Sequence, residues 1–265
     1  MSSQETCYMC EQVSTSQEHV PPKCLFPESK DVDGDYRTQL ITVPSCDQHN
    51  TAKSSEDEFL LVSLAGIIGN NSIGYKHKFT KVNRAIYRTS FKLLERTMID
   101  PRLEWIEFGP NQFIDVIWST PDYERLHNCF DHIARELYFD QFGERFDGST
   151  RTILGYTSIR DHNAAEFQRF IHDKVAQELE GTPRHGSNPD IFTYQFTDAD
   201  QFGLFVVHLQ FYGRIDVYVG YNPATTPPIE NFAMQLIEMG IPTVMQLGEN
   251  VYTFNPDDGS AENEG

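Results

Sequence analysis

Two short motifs carry metal-ligand chemistry. Cys7-Tyr8-Met9-Cys10 is a thiolate pair at the spacing of a zinc knuckle, and Cys46-Asp47-Gln48-His49 is a Cys-x-x-His pair 36 residues further on. Two such pairs can close one tetrahedral Cys₃His site. Zinc there would staple the start of the chain to the head of a later helix, across a loop too polar to build its own core. Cys24 is a rival ligand, but Pro21-Pro22-Lys23-Cys24-Leu25-Phe26-Pro27 reads as a packed turn and Cys24 as a small buried hydrophobe.

A second group lies between and just after those pairs. Glu18 and His19 stand side by side, and Asn50 and then Lys53 follow the second pair. A histidine can deprotonate water at neutral pH. Glu18 and Asn50 offer hard oxygen ligands for Mg²⁺ or Mn²⁺, which would stabilise charge on a scissile phosphate. Neighbouring side chains on a strand leave by opposite faces, so Glu18 and His19 serve one spot only if the strand is bent or bulged. Taken alone, a Glu-His dipeptide is an ordinary surface feature; its place between the ligand pairs is what singles it out.

These groups need elements to hold them. EHV at 18–20, ahead of Pro21-Pro22, and LITVPS at 40–45 both read as short strands. Asp47 is a fitting N-cap for a helix, and 55–68 is a second apolar helical segment broken by Gly69-Asn70-Asn71. Residues 76–96 read as one basic helix with Arg84, Arg88, Lys92 and Arg96 along one face, and Asp100-Pro101 reads as a boundary. Beyond it, strands are expected at 114–119, 151–157, 191–196, 204–211 and 214–221, the last two joined at Tyr212-Gly213. Helices are expected at 121–142, 164–179 and 229–239, and the acidic tail from about 255 reads as disordered. The expected class is α+β: a first unit over 1–100, then an α+β domain over 101–265 with a mainly antiparallel sheet.

Charge divides the chain in the same way. The 265 residues carry a formal net charge of −18, which alone argues against a nucleic-acid binder. Residues 1–100 account for only −2, and residues 101–265 for −16. Segment 76–96 holds seven basic residues and one acid, Glu95. It is either a solvated face or a row kept for a polyanion, and the shortage of i,i+4 partners favours the polyanion. The acidic half would then repel DNA or occupy the basic groove, a form of restraint. With five cysteines, no basic apolar leader in the first residues and no apolar run of membrane length, the reading is a cytoplasmic protein with no membrane partner. His127 and His132 flank Cys129 at a spacing that favours packing over ligation.

In order, CYMC (7–10), EHVPP (18–22), LITVPSC (40–46), CDQHN (46–50) and Lys53 form a pattern that resembles the HNH endonucleases, the ββα-metal nucleases with a zinc-stapled core. The resemblance covers roughly residues 5–60. It implies a hairpin packed on a helix that hydrolyses DNA phosphodiesters. His19 then matches the general base, and Glu18 and Asn50 match the ligands of a catalytic Mg²⁺ or Mn²⁺. Cys7, Cys10, Cys46 and His49 match the zinc staple. DNA would be gripped by Lys53, Lys81, Arg84, Arg88, Lys92 and Arg96. A free-standing nuclease of this kind suits bacterial defence. Residues 101–265 would serve a regulatory partner or a second copy. The pattern departs from the family in two places. The acid before His19 is Glu rather than Asp. The Asn that orients the base from ahead of the second strand is missing, leaving Gln39 or a main-chain group for that task. Asp57 and Glu58 either join the metal site or favour the N-terminus of their helix. The competing class is a zinc-stapled module that binds nucleic acid or protein without cutting.

Overall fold

The computed structural model describes residues 5–51, 54–157, 159–226 and 232–256. Strands β1 (Ser16–Val20) and β2 (Ile41–Ser45) pair antiparallel, one to one, from Ser16 opposite Ser45 to Val20 opposite Ile41. Helix α1 (Asp47–Thr51) follows at once, which gives a small ββα arrangement. The Tyr8 N–H donates to the Pro44 carbonyl at 2.8 Å, so the N-terminal turn is pinned to β2.

Four helices come next: α2 (Ser54–Ala65), α3 (Ser72–His77), α4 (Asn83–Arg88) and α5 (Lys92–Thr97). A π-helical turn, Lys78–Val82, makes α3 and α4 continuous. The chain then breaks at Ser90 (φ 50°) and Phe91 (φ 68°) before α5 begins. The basic segment is therefore not one helix, and Lys92 and Arg96 do not prolong the row that Arg84 and Arg88 start. Two consecutive non-glycine residues with positive φ are uncommon, and nothing in the local sequence announces them.

Strands β3 (Ile99–Gly109) and β4 (Gln112–Thr120) form a long hairpin. Asp100-Pro101, read above as a boundary, lies inside β3. The register shifts between Ile99 and Arg102, an irregularity that accommodates the missing proline N–H. Helix α6 (Tyr123–Phe142) starts with the Asp122 carboxylate accepting the Arg125 N–H and stops at Gly143 (φ 73°). Then come β5 (Gly148–Leu154), α7 (His162–Glu178), β6 (Phe192–Phe196), β7 (Phe205–Phe211), β8 (Ile215–Pro223), α8 (Phe232–Glu238), β9 (Thr243–Leu247) and β10 (Asn250–Phe254). The β9–β10 hairpin has no counterpart in the sequence reading.

The larger sheet is antiparallel in the order β5-β8-β7-β6. Alternation splits its two faces. Val207, Leu209, Phe211, Val217, Val219 and Tyr221 face α6, where the Phe130 and Phe211 rings lie 5.9 Å apart and the Tyr221 hydroxyl donates to the Ala134 carbonyl. Ile153, Val206 and Tyr218 face α7 through Val175 and Leu179. The fold is thus α+β with antiparallel sheets. Buried side chains of 7–94 and 126–221 belong to one continuous cluster, and the Tyr212 hydroxyl reaches back to the Leu25 carbonyl at 2.8 Å. Phe130 is fully buried at its centre. Phe130→Ala is expected to cost about 3–5 kcal/mol, read from the denaturant midpoint at unchanged slope. A loss below about 1 kcal/mol would contradict this account of the core.

Candidate metal centre and active site

Cys7, Cys10, Cys46 and His49 converge, with their ligand atoms all within 4.8 Å of one another. The Cys10 and Cys46 sulfurs lie 3.7 Å apart. The His49 Nδ1 stands 3.6 Å from Cys7, 3.6 Å from Cys10 and 3.2 Å from Cys46. A tetrahedral zinc with ordinary bond lengths sets S···S at about 3.8 Å and S···N at about 3.6 Å. The four side chains therefore fit such an ion, held through Nδ1. Two local devices support the thiolates. The Met9 N–H donates to the Cys7 sulfur at 3.4 Å. The His49 backbone N–H, first among several hydrogen bonds, holds the Cys46 thiol down at about 6, whereas burial raises that of Cys10. Cys24 stays out of the cluster: its thiol donates to the Asp57 carbonyl, and burial pushes its pKa up to about 12.

The Glu18-His19 pair sits on a regular strand with no bulge. Glu18 is buried on the face that carries Ser16 and Val20, and His19 is half-buried on the other. Asn50 shares the Glu18 side, because its amide donates to the Ser16 hydroxyl at 2.8 Å. Its carbonyl oxygen accepts no hydrogen bond among the described residues. The His19 Nδ1 is buried with no hydrogen-bond partner among the described residues, which do not make the orienting contact expected from Gln39 or the main chain. The Gln39 carbonyl accepts from the Ser187 hydroxyl instead, at 2.7 Å. Burial, then the charges of Lys23 and Arg37, lowers the His19 pKa below its ordinary value. His19 is thereby kept neutral around pH 7, and Nε2 is the nitrogen left to accept a proton.

The basic residues divide. Arg84 pairs with Asp31 at 2.7 Å and Arg96 with Glu58 at 2.9 Å. The Lys81 ammonium turns inward to the Cys24 carbonyl, and burial lowers its pKa. Arg88 and Lys92 are exposed and without a partner among the described residues. Lys53 lies outside the described residues. The scarcity of acids within 76–96 does not leave Arg84 and Arg96 unpaired, since their partners are the distant Asp31 and Glu58. Both acids belong to residues 1–100, so these two arginines are not held by the acidic half.

Several polar residues at the site went unnoticed in the sequence. Tyr8, between two ligands, meets His132 of α6 at 3.0 Å. Its hydroxyl pKa is raised, first by burial and then by Glu136 and Glu18. Glu136 is fully buried. A carboxylate one place from the Ile133–Leu137 stripe was the available signal. Lys23 and Arg37 come together beside His19 only through folding. Among the described residues no other group of three Cys, His, Asp or Glu ligands gathers, and no helix is long and apolar enough to cross a membrane. Compared with known proteins, the chain matches no family model, no curated protein and no solved structure.

Proposed function

We propose that the chain is a metal-dependent endonuclease of the HNH type, acting on DNA phosphodiester bonds from a zinc-stapled ββα unit. The observation that carries this reading is the convergence of the four ligands at one end of a hairpin and helix that also bear Glu18, His19 and Asn50. Among the described residues β1 pairs with β2 alone. Glu18 and Asn50 lie on one face of β1 and His19 on the other, so their joint action on one phosphate requires β1 to bend or bulge when DNA binds.

The chemistry follows from those placements. His19 takes the proton of the attacking water at Nε2 while the new P–O bond forms, and the sugar oxygen of the broken P–O bond leaves as an alcohol, protonated from solvent. Glu18 and the Asn50 carbonyl would hold Mg²⁺ or Mn²⁺, which supplies electrostatic stabilisation of the phosphate when bound. Burial first, then Lys23 and Arg37, lowers the His19 pKa, and the two cations add positive charge near the scissile group. A supercoiled plasmid incubated with the full chain and Mg²⁺ or Mn²⁺ should become nicked.

One observation favours a second reading. The unbulged strand and the unpartnered His19 Nδ1 suit a module that binds nucleic acid without cutting it. Plasmid binding with no nicking in either metal selects that reading.

Of the basic residues, Arg88 and Lys92 are the ones open to a phosphate backbone. Arg88→Glu is expected to weaken DNA binding and to reduce the slope of log K against log salt by about one. An unchanged slope removes α4 from the interface. A role in bacterial defence is part of the same proposal and rests on the combination of a nuclease with an acidic companion half.

A further inference from the structure

The larger sheet ends at β5, which pairs with β8 on one side and, among the described residues, with no strand on the other. In an antiparallel ladder the N–H and C=O of a residue point the same way, toward the partner and away from it in alternation. The Gly155 N–H donates to the Asp216 carbonyl, and the Ala224 N–H donates to the Asp147 carbonyl. Odd-numbered residues of this strand therefore face β8 and even-numbered ones face outward. Two of the outward carbonyls are capped by side chains: Gly148 accepts from Arg135 at 3.1 Å and Leu154 from Gln168 at 2.5 Å. Between these caps, Thr150 and Thr152 each direct one N–H and one C=O outward, with no partner among the described residues.

That edge is recessed. A cavity of about 850 Å³ runs along all seven residues of β5, walled by Tyr123, His127 and Asn128 of α6 and by Phe167 and Gln168 of α7. Its charged lining is Arg135 and Arg151 against Asp131, a local positive excess within a stretch of net charge −16. Asp131 is already engaged by Arg135 and by the Thr150 hydroxyl, whereas Arg151 is exposed. A second copy of the sheet would bring its own helices against α6 and α7. A single extended segment enters the cleft without them.

We propose that the open edge of β5 is a docking groove for an extended, acidic segment of a partner protein, which adds to the sheet as a fifth strand. Main-chain bonds to Thr150 and Thr152 supply affinity, and an acidic side chain beside Arg151 supplies selectivity. This inference is independent of the nuclease reading.

The test uses the full chain and two labelled peptides, one alternating valine with glutamate and one valine with lysine. The glutamate peptide should bind, and the lysine peptide at least about tenfold more weakly. Arg151→Glu should reverse that preference. Thr150→Pro removes an outward N–H as well as the hydroxyl that bonds Asp131, without touching the β8 ladder, and should weaken the glutamate peptide about tenfold relative to Thr150→Val, which loses the hydroxyl alone. Hydrogen exchange at Thr150 and Thr152 should slow when that peptide is added. Three results overturn the proposal: no binding of the glutamate peptide at millimolar concentration, equal binding of both peptides, or affinity unmoved by both Arg151→Glu and Thr150→Pro. A concentration-dependent dimer abolished by Thr150→Pro also overturns it, by making a second copy the occupant.

Discussion

Cys46→Ser is expected to empty the metal centre and unfold the N-terminal unit. Cys46 is the ligand nearest the His49 Nδ1, at 3.2 Å, and it connects β2 to the head of α1. The long connection between β1 and β2 includes Asp31, Asp33, Asp35 and Gly34, and it buries Leu25, Phe26 and Val32. A zinc ion held by the four ligands would add a tie across it, and structural zinc contributes about 10–16 kcal/mol to folding in isolated fingers. The purified protein should hold about one equivalent of zinc, and Cys46→Ser less than about half of one. Its thermal midpoint should fall well below that of Cys24→Ser, a variant outside the cluster that should keep its metal. Equal zinc content in Cys46→Ser and the parent chain would refute the four-ligand centre.

His19→Ala is expected to lower the cleavage rate by about 10²–10⁴-fold while zinc content and DNA affinity stay the same, the effect of removing a general base. The pH dependence carries a defined sign. Burial together with Lys23 and Arg37 lowers the His19 pKa, so the basic form dominates at neutral pH and persists below the ordinary histidine range. Cleavage should be flat above about pH 7 and decline as pH falls through that lowered value. Replacing Lys23 with glutamate removes one of the charges that lower it. The acidic limb should then move to higher pH. A limb that stays in place, or lies above the ordinary histidine value in the parent chain, would remove His19 from the role of base.

The four-residue Cys/His cluster was legible because all its members sit in two compact motifs, and the hairpin because EHV and LITVPS are short β-rich runs ahead of prolines or cysteine. Most of the later strands and helices appeared within a few residues of their observed bounds, since alternation and the α6 stripe are local patterns. What escaped was set by distant contacts or by backbone strain. The partners of Arg84 and Arg96 lie 53 and 38 residues away. The turn at Ser90 and Phe91 uses residue types that give no warning of positive φ. Asp100-Pro101 resembles a boundary but opens β3 with an irregular register. Glu136, a charge beside an apolar stripe, makes sense only once Tyr8 folds against α6. The acidity first set against a nucleic-acid partner belongs to residues 101–265, yet those residues share a core with the ββα unit rather than standing apart from it.

Cleavage of a supercoiled plasmid by the full chain in Mg²⁺, run beside His19→Ala, tests the central claim most directly. The predicted result is nicking by the parent chain, loss of nicking when the divalent metal is chelated, and loss of nicking in a His19→Ala protein that still carries zinc and still retards the plasmid. Equal nicking by the two proteins, or none by either while both bind DNA, would contradict it.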